Sequence, residues 1–169
     1  IDRAGYYSMT IGKNHFHPMR NLHGYAPALL SAGTPESDHV DDSGQWLART
    51  APGVDEHSTG LGWNDRGGKP WPHKDELHPT AWTGQEAVDF LNAYQHGQPF
   101  FLKVAFHRPH TPFDPISKWF GHYAKADLPK AKSGKWADEW YGSFTPPQKP
   151  TAPRANLSDE EIRNSRQGY

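Results

Sequence analysis

The sequence predicts an α/β fold, and three observations carry that expectation. Residues 5–12, Gly-Tyr-Tyr-Ser-Met-Thr-Ile-Gly, are a β-branched and aromatic run bounded by glycines, the pattern of a short strand. Ala87, Phe90, Leu91 and Tyr94 recur at helical spacing, and Gly97 and Pro99 then lead into the apolar run 100–106. Helix, short turn and apolar strand make half of a βαβ unit. Third, histidines follow directly after both predicted strands, and α/β sheets bind ligands just outside the carboxyl ends of their strands.

Taken in order, the first strand runs into Gly12-Lys13-Asn14-His15-Phe16-His17-Pro18. Residues 19–79 show no sustained period and carry turn signals at 33–35, 42–44, 51–53 and 66–68. A stretch of that size inside a domain is functional or packed on another segment. Short helical turns are expected near Leu29 or Trp46, and Asp41-Asp42 reads as an exposed turn. The clearest helix is expected to start near Thr80, where Thr83-Gly84-Gln85-Glu86 fits a capping box, and Gly97 would stop it. The strand 100–106 is followed by His107-Arg108-Pro109-His110-Thr111-Pro112-Phe113-Asp114-Pro115, a polar loop stiffened by three prolines. Residues 116–123 read as a short helix and 125–153 as a Pro/Gly-rich connection. Ser158-Asp159-Glu160-Glu161 is a second capping-box match, so a last helix should start there and run to the end.

Composition narrows the class. Leu, Ile, Val and Phe together supply only 26 of the 169 residues, whereas Gly and Pro number 16 each. That is a loop-rich chain with a thin core of its own. Net charge is only −1, and 7 Trp and 7 Tyr replace part of the missing aliphatic area, so disorder over the whole length is excluded. Ile1 is not an initiator Met, and the reading expects a slice of something larger. No apolar run approaches the roughly 20 residues needed to span a bilayer. Without clustered Lys and Arg, nucleic acid is not the expected partner. Zero Cys excludes disulfides, thiolate metal sites and a Cys nucleophile within the chain.

The 11 His concentrate the chemistry. If the two strands are parallel, Lys13, His15 and His17 share a rim with His107, Arg108 and His110. Lys supplies a point charge, Arg a planar fork and His a general acid, a set suited to a tetrahedral oxyacid ester. A bland reading stands beside it, since Gly-Lys-x-His alone is a weak signal. His-x-His and His-x-x-His also suit two zinc ligands, but no third ligand follows at a recognisable spacing. The residues from His73 to His78 read as loop. Lys74-Asp75-Glu76-Leu77 is a retention signal only at a C-terminus. Asn156-Leu157-Ser158 is a glycosylation sequon whose Ser is better explained as a helix cap. Trp63, Trp71, Trp82, Trp119, Trp136 and Trp140 read as packing rather than sugar platforms.

Together, the strand entering Gly12-Lys13-Asn14-His15 and the run from Pro99 through His107-Arg108-Pro109-His110-Thr111-Pro112-Phe113 resemble the sulfatase family of the alkaline-phosphatase-like superfamily. In motif style they are closest to iduronate-2-sulfatase-like members. The resemblance implies a central slice of a doubly wound, mostly parallel sheet with helices on both faces. It makes residues 1–169 an internal part of the N-terminal catalytic domain. It gives Lys13 the sulfate group, His15 a hydrogen bond to the formylglycine hydrate, and His110 the sulfate and the leaving alkoxide. His107 and Arg108 would line the pocket. His17 also follows Lys13, and the two-residue spacing favours His15.

The family's Cys/Ser-x-Pro-x-Arg motif, its calcium carboxylates and a second Lys are absent from the 169 residues. Ca2+ and formylglycine are therefore expected outside this chain, no metal ligand within it, and no turnover from it alone. The resemblance further implies a sulfated carbohydrate substrate, the rest of the sulfatase chain as partner, and a periplasmic, extracellular or lysosomal setting. Rival readings are phosphodiester or phosphonate ester hydrolysis, an anionic-glycan-binding module without activity, and a zinc site at His15, His17, His107 and His110.

Overall fold

The computed structural model describes residues 2–31, 41–62, 64–132, 134–135 and 157–169. Trp63, Trp136, Trp140, the 33–35 turn and Asn156 of the sequon lie outside them. The chain divides into two compact units, Ile1–Glu56 with His73–Arg108, and His57–Pro72 with Pro109–Tyr169.

The first unit holds a three-stranded parallel sheet in the order β2-β1-β3, with β1 at Tyr7–Gly12, β2 at Ala28–Leu30 and β3 at Phe100–Ala105. The α/β expectation and the parallel relation of the two long strands both hold. Register runs from Tyr7 opposite Phe100 to Gly12 opposite Ala105. Strand alternation then assigns the two faces. Helix α2 (Pro79–Ala93) covers the face of Tyr7 and Phe100, where Phe90 stacks on Tyr7 with centroids 6.1 Å apart and meets Phe100 edge-on at 5.5 Å. The loop after β1 covers the face of Ser8 and Thr10. Ser8 Oγ donates to Gly24 O at 3.2 Å, and Thr10 Oγ1 donates to Asn14 Oδ1 at 2.9 Å. Ser8, Met9, Thr10 and Ile11 are all buried between these layers.

Helix α1 (Asp42–Thr50) packs on β2 and α2 and buries Leu47. The expected turn at Trp46 lies in this helix, while Leu29 lies in β2. Asp41-Asp42 is not an exposed turn. Asp41 is buried as the N-cap of α1, where its carboxylate accepts from Gly44 N at 2.7 Å and from Ser43 Oγ at 3.1 Å. Helix α2 starts at Pro79, beside the expected Thr80, but not through the Thr83 capping box. Pro79 sits in the first turn, where its missing N–H costs nothing, and the ring Nδ1 of buried His78 accepts from Thr80 N at 3.1 Å. Thr83 is therefore interior, and its hydroxyl donates back to Pro79 O at 3.0 Å instead of capping.

In the second unit, part of the aperiodic stretch packs on the proline-rich loop. Gly68 and Trp71 form parallel bridges with Phe113 and Ile116. Lys69 N donates to Phe113 O at 3.1 Å and Trp71 N to Pro115 O at 2.8 Å. Trp71 is fully buried and Trp82 nearly so, which makes both packing residues. Helix α3 (Ser117–His122) follows, and α4 (Asp159–Gly168) opens with the expected capping box. Ser158 Oγ accepts from Glu161 N, and the Glu161 carboxylate accepts from Ser158 N at 2.7 Å. This helix docks through small and polar residues. Gln167 Nε2 donates to Phe120 O at 2.8 Å, Ser165 Oγ sits within hydrogen-bonding reach of the carbonyls of Arg66 and Glu161 and its one proton bonds either, and a side chain at Gly168 would crowd Phe113 O.

Candidate anion-binding site

The site grows from the end of β1. Gly12 has φ +97°, and a Cβ there would overlap the carbonyl oxygen of Ala105 on the neighbouring strand. Only glycine allows that bend and that approach. The turn is then pinned. Lys13 N donates to Ala105 O at 2.8 Å, and Asn14 Nδ2 donates to Gly12 O at 3.1 Å. Asn14 was not singled out from the sequence, although an Asn that bonds its own turn is a recognisable signal.

This geometry places Lys13 at the carboxyl end of β1, next to the residues that leave the end of β3. Lys13 Nζ lies 3.3 Å from Nε2 of His107, which is buried. An ammonium can only donate, so Nε2 accepts and the ring carries its proton on Nδ1. Burial pushes the Lys13 pKa below its ordinary value of 10.5, and repulsion from the Arg108 guanidinium pushes it further the same way. The structure thus brings Lys13, His107 and Arg108 into one electropositive corner within the first unit. An oxyanion placed there would relieve the Lys13–Arg108 repulsion and replace lost hydration with charge-assisted hydrogen bonds.

The remaining candidates are placed differently. His15 lies two residues past Lys13 with φ +45°, in the left-handed region that disfavours a side chain, and its ring is exposed. Neither His15 nor His17 makes a hydrogen bond to Lys13, His107 or Arg108. His110 belongs to the second unit and is exposed. Its Nδ1 lies 2.8 Å from Thr111 O. A carbonyl only accepts, so Nδ1 carries a proton and Nε2 is the ring atom that can exchange one.

The corner does not fit a calcium ion. Ca2+ takes several oxygen ligands, carboxylates above all, and Lys13, His107 and Arg108 offer none. Among the described residues, no group of three or more His, Asp or Glu side chains is placed to hold a metal. None of the described helices is long and apolar enough to cross a membrane.

No protein-family model matches the chain. It is 35% identical over 152 residues to an arylsulfatase of Clostridium perfringens (strain 13 / Type A), an alignment covering 82% of this chain and 32% of that protein. The chain therefore spans about a third of the length of the curated relative it matches. With both motifs at the ends of adjacent parallel strands and identity running through most of its length, the chain belongs to the sulfatase family.

Proposed function

We propose that these residues form the sulfate-binding wall of a sulfuric ester hydrolase acting on sulfated carbohydrates. The observation that carries the reading is the contact between Lys13 and His107 beside Arg108, at the carboxyl ends of adjacent parallel strands. Lys13 and Arg108 would hold the sulfate oxygens, Lys13 as a compact charge and Arg108 as a planar fork. His107, neutral with Nδ1 protonated, would keep the Lys13 ammonium aimed at the sulfate. His110 would bind the sulfate and donate the proton that the departing alkoxide needs. His15 would hydrogen-bond the attacking group.

Calcium and the formylglycine nucleophile belong to the proposal as parts supplied from outside these 169 residues, because the chain has no Cys and no Ser in a Ser-x-Pro-x-Arg motif. A polymeric anionic substrate points to a periplasmic, extracellular or lysosomal setting. The iduronate-2-sulfatase-like motif style supports a glycan rather than a small aryl ester.

The test is sulfate release by the full-length gene product from sulfated saccharides, with a phosphodiester as the competing substrate. Sulfate release is expected, and Lys13→Met should lower kcat/KM by about 10²–10³-fold, the usual loss of one preorganised oxyanion partner. The 169-residue chain alone should release none. Phosphodiester cleavage without sulfate release would assign the fold to phosphoryl chemistry instead.

A further inference from the structure

The peptide group between Gly12 and Lys13 is held on both edges. Its N–H, that of Lys13, donates to Ala105 O of β3 at 2.8 Å. Its oxygen, that of Gly12, accepts from Ser31 N, just past β2, at 3.2 Å and from Asn14 Nδ2 at 3.1 Å. A peptide group is planar, so holding both edges fixes the direction in which Lys13 leaves the strand. The hold is needed because Gly12, at φ +97°, has the backbone freedom of a residue without a Cβ.

Asn14 is itself oriented. Gly12 O can only accept, so the amide nitrogen faces it and Oδ1 faces Thr10, whose hydroxyl donates at 2.9 Å. Thr10 is 0% exposed, and this is the one hydrogen bond of its hydroxyl among the described residues. The buried interior of β1 is thereby tied to the turn that the strand enters. Asn14→Asp would set a carboxylate oxygen against Gly12 O, with no proton between them. Thr10, Gly12, Asn14 and Ser31 belong to the first unit, together with Lys13, Ala105 and His107.

We propose that Asn14 is a positioning residue: oriented by Thr10, it locks the Gly12–Lys13 peptide so that the Lys13 ammonium stays on His107 Nε2 and aimed at the sulfate. The proposal rests on the hydrolytic reading above and adds a residue that acts through Lys13. Burial and the Arg108 guanidinium both oppose the charge on Lys13 in its corner. The lysine stem is flexible, so a peptide free to rotate would release the ammonium to solvent, where both penalties are relieved. The Ser31 bond alone, at 3.2 Å, would be left to hold the Gly12 oxygen.

The experiment is a double-mutant cycle on sulfate release by the full-length gene product, with Asn14→Leu, Lys13→Met and the two together. Asn14→Leu should lower kcat/KM about 10–10²-fold, the scale of a misplaced reacting group. With Lys13→Met in place it should cost less than about threefold, because no ammonium is left to aim. An equal loss in both backgrounds makes Asn14 a structural residue and overturns the proposal. Asn14→Leu also leaves the buried Thr10 hydroxyl without an acceptor. Combining it with Thr10→Val removes both partners, which should restore the urea midpoint without restoring turnover. Turnover that recovers along with the midpoint overturns the proposal too, and the paired variant takes the place of Asn14→Leu in the cycle if the single one fails to fold. If the wild-type product releases no sulfate from any saccharide, the hydrolytic reading falls, and the lock is read from the Lys13 pKa by NMR. Asn14→Leu should then raise that pKa toward 10.5, and an unchanged value overturns the lock.

Discussion

Gly12 and Lys13 work as a pair: the glycine supplies a bend that no other residue tolerates, and the bend delivers the lysine. Gly12→Ala should cost about 1–3 kcal/mol for the forced backbone alone, read as a lower urea midpoint, with the overlap on Ala105 O adding to it. Lys13 makes a pH prediction with an unusual sign. Its folded pKa lies below the unfolded value near 10.5, so the unfolded chain binds more protons between the two. The cost of keeping the ammonium in its corner is fully present below the folded pKa, and stability from this group rises as pH climbs from there toward 10.5. Anion affinity should fall through the same window, because the ammonium is being lost. The identities of Lys13, His107 and Arg108 were legible in the sequence because each directly follows a strand signal. Their mutual contact was not, because it depends on β1 and β3 being parallel neighbours in a particular register. That His110 belongs to the second unit was not legible either, since nothing in His-Arg-Pro-His marks a boundary between units.

At the scale of elements, the two capping-box patterns had opposite fates for a physical reason. Ser158–Glu161 has no competing start upstream, and its box forms in full. Thr83–Glu86 is preceded by His78-Pro79, and a proline in the first turn with an imidazole acceptor before it begins α2 four residues sooner. Ser158→Ala should therefore fray α4 by about 1 kcal/mol, seen as faster amide exchange at Glu161. The equivalent change at Thr83 should not unwind the start of α2. The pKa of Glu161 lies below its ordinary value because the carboxylate accepts from Ser158 N and Oγ. Its contribution to the cap is present above pH 4.5 and is lost as pH falls through the depressed folded value. The segment 66–71 illustrates what no local pattern encodes: it is aperiodic, yet its backbone bridges to 113–116, and only the long-range partner gives it a conformation.

For the molecule as a whole, the scarcity of aliphatic residues reappears as a thin interior. Six hydrophobic side chains are buried among the described residues, and two of them are tryptophans. Much of the second unit is joined by glycine contacts and hydrogen bonds to carbonyls instead. Meanwhile Phe100 and Phe101 of the edge strand β3, with Val88 and Leu91 on α2, keep large apolar areas exposed. A three-stranded sheet with such an edge matches a chain that spans about a third of its relative. The α/β class was legible because it needs only two strands and the intervening helix.

The central claim is that the Lys13–His107–Arg108 corner is an oxyanion site. Its most direct measurement is the pKa of Lys13, followed by NMR at its Cε and Nζ in sulfate and in chloride at equal ionic strength. The account predicts a value below 10.5 in chloride that sulfate raises, with the sulfate effect abolished in Arg108→Met. A Lys13 that titrates identically in the two salts would contradict it.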